Sequence, residues 1–196
     1  MSIDRPARIL AEAERLFAVH GFAGTNLSSI ASAAGLGNAG LLHHFPSKAV
    51  LYRAVLEGIA ADLDERNAAA AAVADETVGR LRGLIDAFLS LHRDRPTALL
   101  VVAQEFLDRS ERIDEARVFP LAGVVRDTVA ALDAGQRDGT IPPGDPVAMT
   151  AALHGALLFG VLGRGVYTAT AGHRPQDWDV EIARRALAGV LVDSEG

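Results

Sequence analysis

Residues Thr25 to Lys48 read TNLSSIASAAGLGNAGLLHHFPSK, and this stretch decides the fold. Two short helices joined by a tight turn need a tiny residue where they cross, a glycine at the turn and apolar residues pinning both. Leu27, Ile30, Ala31 and Ala34 supply a short apolar face, with Ala31 as the tiny residue. Gly35 follows four residues on, where a left-handed backbone costs little. Leu36 and Leu41 can then anchor a second helix, expected from about Asn38 to His44 and stopped by Phe45-Pro46. This is helix-turn-helix spacing, in which the second helix offers one face to a DNA major groove. About seven residues give roughly 10 Å of helix, enough to cross that groove.

Working outward, Ile9, Leu10, Ala13, Leu16 and Phe17 line one face of a preceding helix. Asp4 suits its N-cap, Pro6 its first turn and Gly21 its C′ position. Ser47 can cap a fourth helix whose apolar face is Leu51, Val55, Leu56, Ile59 and Leu63. The alanine run after Asn67 continues as a strong helix former. Longer helices are expected at about Thr77–His92, Pro96–Leu107 and Arg112–Asp138, the last kinked or divided at Pro120. After the loop from Asp138 to Pro146, two more follow at about Val147–Thr170 and Gln176–Val192. No sustained period-2 alternation marks a strand. The fold class is therefore all-α with about nine helices, a head over residues 1–48 and a helical body over 49–196.

The chain carries a formal net charge of −6 and no cysteine, which excludes disulfides and thiolate metal sites. Residues 1–50 hold four basic and three acidic groups, so the head is +1 and the rest −7. Charge thus permits nucleic-acid binding without arguing for it. The first residues are charged throughout and lack the apolar core of a signal peptide. The apolar stretch Ala148 to Ala171 contains His154 and Arg164 and reads as a buried helix, not a membrane span. A cytoplasmic protein with no membrane partner is expected.

The order of Leu16, Phe17, Gly21, Thr25, Ile30, Ala31, Ala34, Gly35, Leu41, His44, Phe45, Ser47, Lys48 and Leu51 resembles the N-terminal domain of the TetR family of bacterial regulators. The resemblance covers roughly a quarter of the chain and implies a DNA-binding head. In that role Asn26 caps the first helix of the motif and turns its N–H groups toward a phosphate, with Thr25 or Ser28 assisting. Lys48 and His44 face the DNA backbone. Asn38 is the best base reader, since an amide pairs bidentately with adenine. Ala39 and Gly40 allow close approach, and His43 faces the groove. Two positions depart from the family pattern. Gly37 stands where Ser or Thr usually caps the recognition helix, and Leu42 where Tyr usually contacts the backbone.

The resemblance also implies a homodimer formed by the last two helices. Ala151, Ala152, Gly155, Ala156, Gly160 and Gly163 permit close approach, with Phe159, Leu162, Leu187, Val190 and Leu191 filling the contact or, alternatively, packing within one chain. An effector cavity is expected among the middle helices, lined by Phe88, Leu89, His92, Val102, Phe106, Phe119, Val125, His154 and Leu158. Each of these taken alone reads first as plain core. The implied partners are double-stranded operator DNA, a small-molecule effector and a second copy of the chain. An effector that binds the splayed dimer better would move the fourth helix and change the spacing of the heads.

No cofactor or metal site is expected, and no P-loop, GxGxxG or HExxH occurs. Ser90, His92 and Asp94 would lie about 100° apart on a helix and cannot converge as a triad. The function expected is a non-enzymatic transcriptional regulator, a repressor released from a palindromic operator. The alternative is a ligand-sequestering bundle with a vestigial head.

Overall fold

The structure is a computed structural model that describes residues 5–74, 76–107, 121–173 and 176–191. Among them are ten helices and no strand: α1 Arg5–Gly24, α2 Leu27–Ala33, α3 Asn38–His44, α4 Lys48–Ala71, α5 Thr77–Asp94, α6 Pro96–Leu107, α7 Ala122–Asp138, α8 Pro146–Leu162, α9 Arg164–Ala171 and α10 Trp178–Ala188. The Asp4 cap and the Arg112–Pro120 part of a helix expected from sequence lie outside the described residues.

Two compact units emerge. The first comprises Met1–Asp62 with Asp94–Pro120, and the second Leu63–Arg93 with Leu121–Gly196. In the first, α1 packs on α6 and α2, and α2 packs on α3. Its core is the face read from sequence, with Ile9, Phe17, Ile30, Leu41, Leu51 and Ile59 fully buried. Phe17, Phe22 and Tyr52 form an aromatic cluster, Tyr52 lying edge-on to both phenylalanines at 4.9 and 5.0 Å. Gly21 adopts φ 69° and kinks α1, so the C′ position expected of it appears as a bend before one further turn.

In the second unit α8 packs on both α7 and α10. Leu63, Leu81, Leu91, Leu132 and Leu157 are buried there. The single helix expected over Val147–Thr170 is in fact two, bent by 64° between α8 and α9. Gly163 permits the bend: a Cβ there would meet the Phe159 carbonyl oxygen at 2.6 Å and the Tyr167 ring at 2.7 Å. Trp178 starts α10 by donating its indole N–H to the Gly160 carbonyl oxygen at 2.8 Å. Among the described residues no single helix is long and apolar enough to cross a membrane.

Candidate nucleic-acid interface

The turn between α2 and α3 is closed by the backbone. Gly35 N–H donates to Ser32 O at 3.0 Å and Leu36 N–H to Ala31 O at 2.8 Å, the paired bonds of a Schellman motif. Gly35 sits at φ 69°, where a side chain is strained, and a Cβ would also press on the Arg8 guanidinium at 3.1 Å. Ala31 is buried at the crossing, as its size requires, while Leu41 plants α3 in the core and Leu36 is half-buried. The rest of α3 faces outward: Asn38, Ala39, Leu42, His43 and His44 are exposed, and Gly40 is half-buried.

Asn26 caps α2, its side-chain oxygen accepting from Ser29 N–H at 2.8 Å and from the Ser28 hydroxyl at 2.6 Å. Gly37 occupies the N-cap of α3 in an extended conformation and offers no side-chain bond. Thr25 is buried and donates its hydroxyl to the Gly21 carbonyl at 2.7 Å. Lys48, the first residue of α4, donates to the carbonyls of Phe22 at 2.7 Å and Thr25 at 2.9 Å, and lies 4.5 Å over the Phe22 ring. Its ammonium therefore joins α4 to the end of α1, and two of its three donor hydrogens are engaged inside the protein. The rings of His43 and His44 meet edge-on at 5.4 Å.

A part-buried ionic cluster braces this head. Glu14 on α1 accepts from Arg95 Nε at 2.9 Å and from the Thr97 hydroxyl at 2.6 Å. Arg95 also reaches Asp62 at 3.1 Å and the Gly58 carbonyl at 3.2 Å. Glu14 is only 5% exposed, so it depends on these donors. Sequence reading missed Arg95, which stands 81 residues from Glu14 and looks like one more charge in a loop. The available signal was Glu14 itself, a charge next to the buried position Ala13.

The candidates for self-association divide. Ala151, Ala152, Ala156 and Phe159 are exposed, Phe159 to 67%, and a Cβ on Gly155 would meet nothing. Leu162, Gly163 and Leu191 are half-buried. Gly160, Leu187 and Val190 instead pack inward, and a Cβ on Gly160 would lie 2.7 Å from Ile182 of α10. The cavity candidates divide too. Phe88, Leu89, His92, Val125, His154 and Leu158 belong to the second unit, and Val102 and Phe106 to the first. Phe119 lies outside the described residues. Phe88 and Leu89 are buried, and His154 Nε2 stands 3.1 Å from the Thr128 hydroxyl. Burial lowers the pKa of both His92 and His154, which keeps them neutral.

A short outward-facing helix, locked to its neighbour by a Schellman turn and planted by one leucine, defines a helix-turn-helix head on an all-helical body. Residues 9–55 match the family described as bacterial regulatory proteins, tetR family. That stretch of the chain is a TetR-family N-terminal domain. It is 31% identical over 140 residues to the HTH-type transcriptional regulator RutR of Escherichia coli K12; that alignment covers 70% of this chain and 65% of RutR, so the chain spans under two thirds of that relative. SCO4942 of Streptomyces coelicolor, described as a transcriptional regulator, is 26% identical with a TM-score of 0.69 over 94% of each chain. AibR, solved with isovaleryl coenzyme A and operator DNA, shares the fold at a TM-score of 0.76 and 22% identity, over 96% of this chain and 98% of AibR.

Proposed function

We propose that this chain is a transcriptional regulator, most simply a repressor, that binds double-stranded operator DNA as a homodimer and leaves it when a small-molecule effector binds its second unit. The observation that carries this reading is the exposed polar face of α3, Asn38, His43 and His44, presented by a rigid turn. Residues 1–48 form the DNA-binding part and 49–196 the effector and dimer part. Asn38 reads a base edge, Ala39 and Gly40 allow close approach, and Asn26, Ser28 and His44 face phosphates. Lys48 contributes its remaining donor and its charge to the backbone. The exposed small face of α8 around Ala152 and Phe159 covers its twin. The chemistry is binding alone, without catalysis or cofactor, and it takes place in the bacterial cytoplasm, where operators are.

Release follows from linkage. An effector that favours the form with poor DNA affinity is itself bound less well by the operator complex, by the same factor. Two observations favour a second reading, a ligand-sequestering protein with a vestigial head: α3 lacks a side-chain cap, and Lys48 is engaged by carbonyls. Fluorescence anisotropy with labelled duplexes across a salt series separates the two. The regulator reading expects one sequence to be bound far above the rest, with affinity falling linearly in log salt. Equal, vanishing affinity for all duplexes would establish the vestigial head.

A further inference from the structure

The sequence from Arg15 to Leu56 holds no Asp or Glu, although the whole chain carries a net charge of −6. All of α2, the turn and α3 fall inside this acid-free stretch. A cation brought to the motif therefore meets no carboxylate of the motif, and its charge stays available to an external anion.

Arg8 of α1 is such a cation. A Cβ on Gly35, at the α2–α3 turn, would stand 3.1 Å from its Nη2, 3.5 Å from its Cζ and 3.7 Å from its Nη1. The end of the guanidinium thus lies against the turn glycine, in room left by the missing side chain. Arg8 is exposed, and among the described residues no hydrogen bond or ion pair engages it. Its natural partner on α1 is Glu12, four residues on, but Glu12 accepts from Arg15 at 3.0 Å instead. The guanidinium keeps its fork of N–H donors unspent, and that fork matches two oxygens of one phosphate.

Its place beside α3 selects the anion. α3 starts at Asn38, three residues past Gly35, and ends at His44. A helix of this length spans about the width of the major groove, so its two ends approach the two phosphate walls. Arg8 stands at the turn leading into the first end, and the exposed His44 closes the second. The nearby cation Lys48 spends two of its donors on the carbonyls of Phe22 and Thr25, which leaves Arg8 the better equipped of the two for a phosphate.

We propose that Arg8 is a phosphate-binding residue of the head. With the turn glycine at its back, its guanidinium clamps a DNA phosphate beside the N-terminal end of α3, once for each copy of the chain. This inference rests on the DNA-binding reading above and adds to it a site on α1, outside the helix-turn-helix motif.

Fluorescence anisotropy of the full chain across a salt series tests it, on a duplex carrying a site selected from a random pool and on a mixed-sequence duplex. Arg8→Gln should weaken binding to both duplexes, by about tenfold or more on the selected site. The slope of log affinity against log salt on that site should flatten by about 1.8, roughly 0.9 for each of two lost phosphate contacts. Arg8→Lys should keep the slope, because the charge stays. Arg80→Gln, an equal charge change on an exposed side chain of the second unit, should keep both slope and affinity. Thermal unfolding of Arg8→Gln should match wild type, since the side chain is exposed. An unchanged slope in Arg8→Gln would overturn the phosphate contact, and a lowered midpoint beside it would make Arg8 a structural brace of the turn. An equal loss in Arg80→Gln would reduce the effect to overall charge. An altered base preference in Arg8→Gln would overturn the phosphate assignment and make Arg8 a base reader. Wild-type protein that binds neither duplex at any salt would overturn the DNA-binding reading together with this inference.

Discussion

The Lys48 ammonium donates to the Thr25 carbonyl oxygen at 2.9 Å, and this bond spans the whole helix-turn-helix motif. Thr25 precedes α2 and Lys48 opens α4, so the two helices of the motif are held between them. A second bond to Phe22 O at 2.7 Å fixes the same ammonium to the end of α1. The cation expected at the DNA backbone is therefore also a structural bolt. Lys48→Met is expected to lower stability by about 1–3 kcal/mol, as loss of charged hydrogen bonds does. Urea unfolding measures the loss, and DNA affinity should fall with it. Unchanged stability would show the bonds to be idle.

Gly37 provides the opposite opportunity. It already has the extended N-cap conformation, and a Cβ there would touch nothing within 4 Å. Gly37→Ser should supply the missing cap and raise stability by a few tenths of a kcal/mol. Because the cap fixes the start of α3, operator affinity should rise in parallel. A fall in both would mean that glycine is required there for approach to the DNA.

The head was legible because its constraints are local. The spacing of Ala31, Gly35 and Leu41 specifies a crossing, a left-handed turn and an anchor within eleven residues, and each stands where that spacing requires. Helix count in the body was less so. The run through Gly163 is largely apolar apart from Arg164, and only the missing Cβ, seen against Phe159 and Tyr167, explains why the chain bends. The brace of Glu14 by Arg95 was invisible, since pairing across 81 residues leaves no periodic trace. The small residues of α8 posed a choice between self-association and internal packing. The structure turns Gly160 to α10 and leaves Ala152 and Phe159 open.

Arg95→Met removes the main donor from a carboxylate that is almost wholly buried. A destabilisation of about 3 kcal/mol is expected from the stranded Glu14 charge. Combining it with Glu14→Gln should recover part of that loss, which a double-mutant cycle in urea would show. Simple additivity of the two changes would contradict a direct coupling.

Phe159 is 67% exposed on the open face of α8. If that face is the proposed self-association surface, Phe159→Glu places like charges opposite one another across the two-fold axis. Sedimentation equilibrium should then report a monomer, and operator affinity should collapse with the loss of the second head. A variant that stays dimeric would place the interface elsewhere.

His154 predicts a pH dependence. Burial lowers its pKa from the ordinary value of 6.5, so the folded state holds fewer protons than the unfolded chain as pH falls. Stability is full above about pH 6.5 and declines below it, as protons bind preferentially to the unfolded state. His154→Gln, which keeps a partner for Thr128 but does not titrate, should flatten the decline between pH 7 and 5. An unchanged slope would assign the acid sensitivity to other groups, with His92 the next to substitute, since burial lowers its pKa as well.

In the proposed regulator two copies of α3 read one symmetric DNA site. Selection of bound duplexes from a random pool by the purified protein, at roughly physiological salt, addresses it most directly. The expected result is a two-fold symmetric motif with half-sites about one helical turn, roughly 34–36 Å, apart. Its preference at one base pair of each half-site should be lost in Asn38→Ala. A folded, dimeric protein that enriches no motif, at this salt or at lower salt, would rule out sequence reading by α3.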